Sequence, residues 1–230
     1  MRNPARSAVT AFLALAASLL APVLLHSADE PTHGWRRSGD GLWGSRPEIH
    51  AGFSEKGIAL EMKLPPGTDV AYSRDGSWAA DNASVTMSTE PVAPGGNEYR
   101  PGEAEFPASV TFVFGRDSLP MGRLARMAAF FRKLRHGFRP SGIRLTYAWG
   151  TRVPVGSMYR LWEEETVFIL AGREEAGKRI DAVRSLAADF HAAYGRPPRG
   201  PVTKVLVEAE RPSGEKTPAN TSIAVRFPPE

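Results

Sequence analysis

The 230-residue chain contains no cysteine. That absence removes disulfide staples, thiolate metal sites, iron–sulfur clusters, c-type haem attachment, cysteine nucleophiles and a lipid anchor on Cys. Histidine is scarce, five in all, and none stands in a His-x-x-x-His or His-Glu-x-x-His spacing, so no zinc site is expected. No Gly-x-Ser-x-Gly elbow marks a serine nucleophile. An excess of charge is lacking too: 29 basic against 25 acidic residues give a net charge of only +4, which does not imply nucleic acid. No internal repeat and no low-complexity segment stands out.

What is present begins with an address. Arg2 and Arg6 precede an uncharged run from Ser7 to Leu25, mostly Ala and Leu. A basic start followed by an apolar stretch predicts a secretory signal over residues 1–28, leaving 29–230 as a single exported domain, periplasmic or secreted. Residues 7–25 are also just long enough to stay as a membrane anchor, which is the alternative. Removal of 1–28 takes away two basic residues and no acidic one, leaving a net charge of +2. About 200 residues with 42% hydrophobic composition can build a core without covalent help.

The exported part reads as mainly β. Ile58, Leu60 and Met62 alternate with Glu61 and Lys63, the pattern of a half-buried strand. Further strands are expected at Val70 to Ser73, Ser84 to Ser88, Ala108 to Gly115, Ile143 to Trp149, Thr166 to Ala171, Lys204 to Glu210 and Thr221 to Phe227. Arg74 to Ser77 reads as a turn. Residues 89–107, with four Pro and three Gly, read as a long loop. Apolar residues at helical spacing predict one helix over 121–136 and a second over 177–194, stopped by Gly195. The expected fold is α+β in composition: an antiparallel two-sheet β-sandwich, jelly-roll-like, with two helices, following the N-terminal signal helix.

Several local motifs carry a resemblance. A strand in FPASVTFVFG, a strand ending Tyr147-Ala148-Trp149-Gly150, VPVG at 153–156, a strand in TVFILAG, and Asp189-Phe190 followed by Tyr194-Gly195 occur in this order. Over roughly residues 104–210 this resembles the exported bacterial family called domain of unknown function 3047. The resemblance implies fold and location rather than an activity. Glu103 and Glu105 precede the first of these strands, as acidic residues do in the family. Glu208-Ala209-Glu210-Arg211 departs from the Asp-rich stretch that the family carries there, and no site is read at that end.

Three groups of residues remain as functional candidates. Trp35, Trp43, Trp78 and Trp162 fall in or beside loops with polar neighbours, a composition suited to stacking on sugar rings. Glu163 or Glu165, paired with Glu103 or Glu105 across the sheet, would supply the two carboxylates of a hydrolase. Arg123, Arg126, Arg132 and Lys133 lie on the first expected helix and suit an anionic membrane surface or envelope polymer. The leading expectation is a non-catalytic domain that binds carbohydrate or another small polar ligand, with no metal or cofactor. The alternatives are a glycosidase-like envelope hydrolase and a structural protein that docks through the Arg-rich helix.

Overall fold

The computed structural model describes residues 32–38, 46–115, 142–212 and 214–228. The expected signal at 1–28, Trp43, and the expected helix at 121–136 with Arg123, Arg126, Arg132 and Lys133 lie outside the described residues.

The described chain folds into twelve strands and one α-helix. In order these are β1 (Arg36–Ser38), β2 (Glu48–Ser54), β3 (Gly57–Leu64), β4 (Thr68–Trp78), β5 (Asn82–Thr89), β6 (Ser109–Phe114), β7 (Ile143–Trp149), β8 (Met158–Trp162), β9 (Glu165–Ala171), β10 (Ile180–Ser185), α1 (Leu186–Tyr194), β11 (Val202–Arg211) and β12 (Ala219–Arg226). They form two sheets packed face to face. One is seven-stranded, in the order β1-β4-β11-β6-β7-β9-β8, and the other five-stranded, in the order β10-β5-β12-β3-β2. Every neighbouring pair is antiparallel except β7 and β9. The expected sandwich is therefore present.

Alternation builds the core. In β3, Ile58, Leu60, Met62 and Leu64 are buried and Glu61 and Lys63 exposed, so one face of the strand meets the opposite sheet. Along β11, Val205, Val207 and Ala209 are buried in the same core. Strands β6 and β7 are buried at every position. Their inner faces meet the five-stranded sheet, and part of the outer face is covered by a second apolar cluster, which Phe106 joins from the loop before β6.

The family motifs turn out to be fasteners of this core. The Tyr147 hydroxyl donates to Asp189 Oδ2 at 2.6 Å, and Arg184 donates twice to the same carboxylate at 2.6 and 2.9 Å. Burial, the Asp189 charge and the hydrogen bond to it raise the Tyr147 phenol far above its ordinary value. Phe190 meets Phe114 edge-on at 4.8 Å, and the Tyr194 hydroxyl donates to the Arg144 carbonyl at 3.1 Å. Gly150 leaves no space for a side chain: a Cβ there would stand 2.9 Å from the Val153 carbonyl oxygen.

Three local expectations need correction. Residues 177–194 are not one helix. Ile180–Ser185 pairs antiparallel with β5 over six residues, and Val183 is 74% exposed rather than part of a buried stripe. The spacing of Ile180, Val183 and Leu186 fits a helical period, but the free edge of β5 supplies a hydrogen-bonded ladder that the period does not foresee. The helix begins only after Ser185, whose hydroxyl accepts from the Ala188 N–H, and it ends as expected at Gly195, at φ 70°. Arg74 to Ser77 is not a turn but part of β4, paired with β11 out to Trp78. Gly76 serves close packing there, since a Cβ would lie 2.5 Å from the Trp78 ring. The strands β1, β2, β8 and β10 go beyond the expected eight.

Candidate functional site

The outer face of the seven-stranded sheet carries a polar track. Residues directly opposite each other in a sheet share a face, and so do residues two apart along a strand. Asp69 pairs with Glu210, and Glu208 pairs with Ala71 on one side and Ser109 on the other. Thr111 pairs with Thr146 in the next two strands. All of these side chains point away from the sandwich core. They line an open cleft of about 550 Å³ together with Glu165, Leu161 and, from the loop before β6, Glu105 and Phe106.

Two electrostatic regimes meet in this cleft. At the β7–β9 end, Glu165 is almost wholly buried and ion-paired to the equally buried Arg144 at 3.2 Å. Glu165 Oε1 also accepts from the Thr146 hydroxyl at 2.9 Å. Thr146 has a single hydroxyl proton, so its 2.9 Å contact with Thr111 must be donated by Thr111. The order Thr111 to Thr146 to Glu165 is thus fixed by the carboxylate at its end.

At the β4–β11 end the carboxylates face one another. Burial pushes the Glu210 carboxyl up to about 7, and the charges of Glu105, Asp69 and Glu208 push in the same direction. A carboxyl held near neutrality can donate or accept a proton at physiological pH. Among the described residues no group of three or more His, Asp or Glu is arranged to hold a metal ion.

The sequence candidates are distributed unevenly around this geometry. Glu105 and Glu165, one from each half of the expected carboxylate pair, line the same cleft. Glu103 is exposed and sits 3.6 Å from Arg100. Glu163 is exposed in the turn between β8 and β9, so it parts company with Glu165. The tryptophans do not converge. Trp35 is 3% exposed and belongs to the main core. Trp78 stacks flat on Phe227 at 5.0 Å and packs against that same core. Trp162 packs against the second cluster, on the far edge strand of the sheet.

Glu208 and Glu210, passed over as a departure from the family pattern, are the acidic residues of β11 that the cleft brings together. The signal that finds them is their i, i+2 spacing opposite the apolar Val205, Val207 and Ala209.

Fold and site together define a two-sheet β-sandwich with an acidic cleft on one outer face. The chain belongs to the family described as "Protein of unknown function (DUF3047)", whose model matches residues 89–217. No protein with a curated description matches by sequence. Among solved structures, a thermostable cellulase derived from Cel12A of Rhodothermus marinus is similar, with TM-score 0.42 and 11% identity over 84% of this chain and 92% of that one. Endoglucanase 3 of Trichoderma harzianum, from family GH12, gives TM-score 0.38 and 7% identity over 88% and 98%. The xyloglucanase domain of NopAA from Sinorhizobium fredii, in complex with cellobiose, gives 0.36 and 10% over 87% and 93%. No residue role carries over at this level of likeness.

Proposed function

We propose that the cleft binds a polyhydroxylated ligand of the glycan class and hydrolyses it by acid–base chemistry. Glu210 is the proton donor, and the neighbouring carboxylates of Glu105 and Glu208 are the groups from which the base or nucleophile is drawn. The observation that carries this reading is the Glu210 carboxyl at about 7 in a cleft shared with four other acidic groups. A glycosidase needs one carboxyl protonated and one ionised at the same pH. Burial, reinforced by the neighbouring charges, raises one carboxyl in this way.

The coarser reading, polar-ligand binding without turnover, is favoured by the ordered hydroxyls of Thr111 and Thr146 on the cleft floor. The two readings part in one experiment. Reducing ends released from a panel of envelope and storage polysaccharides are measured for the full chain and for Glu210→Gln. Hydrolysis predicts a fall of at least about 10²-fold in turnover with binding retained. Equal turnover in the variant removes Glu210 from the chemistry, and saturable glycan binding without turnover in either protein leaves the binding reading.

The same proposal places the protein in the cell envelope after export, with residues 1–28 removed. The intact mass of the mature protein checks this: a mass beginning at Met1 overturns cleavage.

A further inference from the structure

Glu98 is a buried carboxylate that plays no part in the proposed chemistry. It is 1% exposed in the middle of the loop before β6. Its oxygens accept from the Thr151 N–H at 2.5 Å, the Thr151 hydroxyl at 2.6 Å, the Val153 N–H at 3.0 Å and the Arg152 N–H at 3.3 Å. Four donors converging on one carboxylate make a strong tie between a loop and the turn after β7.

Two further ties lie beside it: the Tyr159 hydroxyl donates to the Glu98 carbonyl at 3.1 Å, and Arg152 Nη2 to the Gly95 carbonyl at 3.1 Å. From this anchor the chain turns back on itself. The Arg100 N–H donates to Asn97, and the N–H groups of Glu103 and Ala104 both donate to the Arg100 carbonyl. The Gly96 N–H then donates to Glu105 Oε2 at 3.2 Å. The fold-back needs Gly96 and is tightly packed at Gly95. A Cβ on Gly95 would lie 2.3 Å from Glu105 Oε2, and one on Gly96 would lie 2.0 Å from the Glu103 carbonyl oxygen. The segment ends by placing Ala104, Glu105 and Phe106 in the wall of the cleft.

We propose that Glu98 is a positioning residue: by latching the strap 94–106 to the turn 151–153, it holds the Glu105 carboxylate and the apolar Phe106 in place as the wall of the cleft that faces Glu210. The proposal rests on the cleft being the functional site. It deepens that reading by assigning the integrity of the site to a carboxylate that never meets the ligand. Release of the latch would withdraw the Glu105 charge and open the cleft wall to water, and each change acts on Glu210 in the same direction.

The test is the titration of Glu210 in the full chain, followed by carbon-13 NMR of labelled glutamate carboxyls. It needs no substrate, so absence of glycan turnover would sink the hydrolase reading and leave this measurement intact. Glu98→Gln should lower the Glu210 midpoint by about one pH unit or more. Glu105→Gln should lower it by a smaller amount, since only the charge is lost. The double variant should move no further than Glu98→Gln alone, because a released strap has already carried Glu105 away. Tyr147→Phe, which removes a buried hydrogen bond on the other face of the sheet, should leave the midpoint where it is.

An unchanged midpoint in folded Glu98→Gln overturns the proposal. So do falls that add in the double variant, or an equal fall in Tyr147→Phe. If Glu98→Gln does not fold, Tyr159→Phe combined with Arg152→Ala removes the two flanking ties and decides by the same criterion, with a smaller fall expected and no fall fatal.

Discussion

The two outer faces of the sandwich both carry carboxylates, and those at the β4–β11 end of the cleft are treated unlike those on the five-stranded sheet. On the five-stranded sheet Glu90, Asp181 and Glu48 each have a partner. Glu90 accepts from the Asn220 backbone and side chain, both at 2.9 Å, which holds its carboxyl below the ordinary value. Asp181 accepts from the Thr86 hydroxyl at 2.6 Å and from Arg179, and is lowered too, mainly by the Thr86 bond. Glu48 lies 3.9 Å from Lys63. On the seven-stranded sheet, Glu210 faces Glu105, Asp69 and Glu208 under partial cover, and its carboxyl rises instead. The contrast teaches that acidic content alone does not mark a site. Neutralised carboxylates describe a solvated sheet face, whereas carboxylates crowded together and partly dried describe stored electrostatic work, which structures keep where chemistry or binding uses it.

The comparison can be broken at several points, and the largest effect is expected where the two regimes meet in the cleft. Arg144→Met strands the buried Glu165 carboxylate and should cost about 3–5 kcal/mol in denaturant unfolding. The double variant Arg144→Met, Glu165→Met should recover most of that loss, because the charge that needed pairing is gone. If the single variant is as stable as the parent, the Glu165 end of the cleft is not the committed ion pair described above.

A smaller effect belongs to Glu210 itself. Its carboxyl stands at about 7 in the folded protein against 4.5 as the reference value. The folded state therefore binds this proton more tightly than the unfolded chain. The stability this group contributes is fully present below pH 4.5 and is lost as the pH rises through 7. After allowance for partial exposure the loss is on the order of 2 kcal/mol. Glu210→Gln should remove it. Measured by unfolding at pH 5 and pH 8, the variant should gain on the parent only at the higher pH, and a constant difference between the two would place Glu210 in an ordinary solvated setting.

The smallest effect is expected on the opposite face. Glu90→Gln should change stability by less than about 1 kcal/mol, as exposed polar pairs do. The sign of its pH dependence should be reversed. A lowered carboxyl stabilises above its unfolded value and loses that contribution as pH falls through the folded one. Equal pH slopes for Glu90 and Glu210 would abolish the distinction between the faces.

Much of the architecture was legible in the sequence, for local reasons. Gly57 to Leu64 alternates strictly, and the runs at 109–114, 143–149 and 165–171 are too apolar and β-branched to be anything but covered strands. Residues 89–107 had to be a loop. The segment 177–194 misled because Ile180, Val183 and Leu186 fit a helical period, whereas in the strand Val183 falls on the exposed face, and only the presence of β5 alongside selects the strand.

For the site, the sequence placed Glu105 and Glu165 on a short list but could not separate them from Glu103 and Glu163. The difference between neighbours such as Glu163 and Glu165 is which way the chain leaves a two-residue turn. Trp35 and Trp78 looked like platforms because their neighbours are polar. Their rings point inward, and that is a tertiary fact.

The sequence by itself determined that this is a cysteine-free, mainly β domain whose core comes from alternation and long apolar strands. Those properties follow from the pleat of the chain and its composition. The tertiary structure alone decided that Asp69, Glu105, Glu208 and Glu210, spread over more than a hundred residues, share one cleft, and that Glu98 ties one of its walls in place. Strand order and register set which distant side chains stand opposite each other. Charges shift one another only at the short distances that such pairing creates.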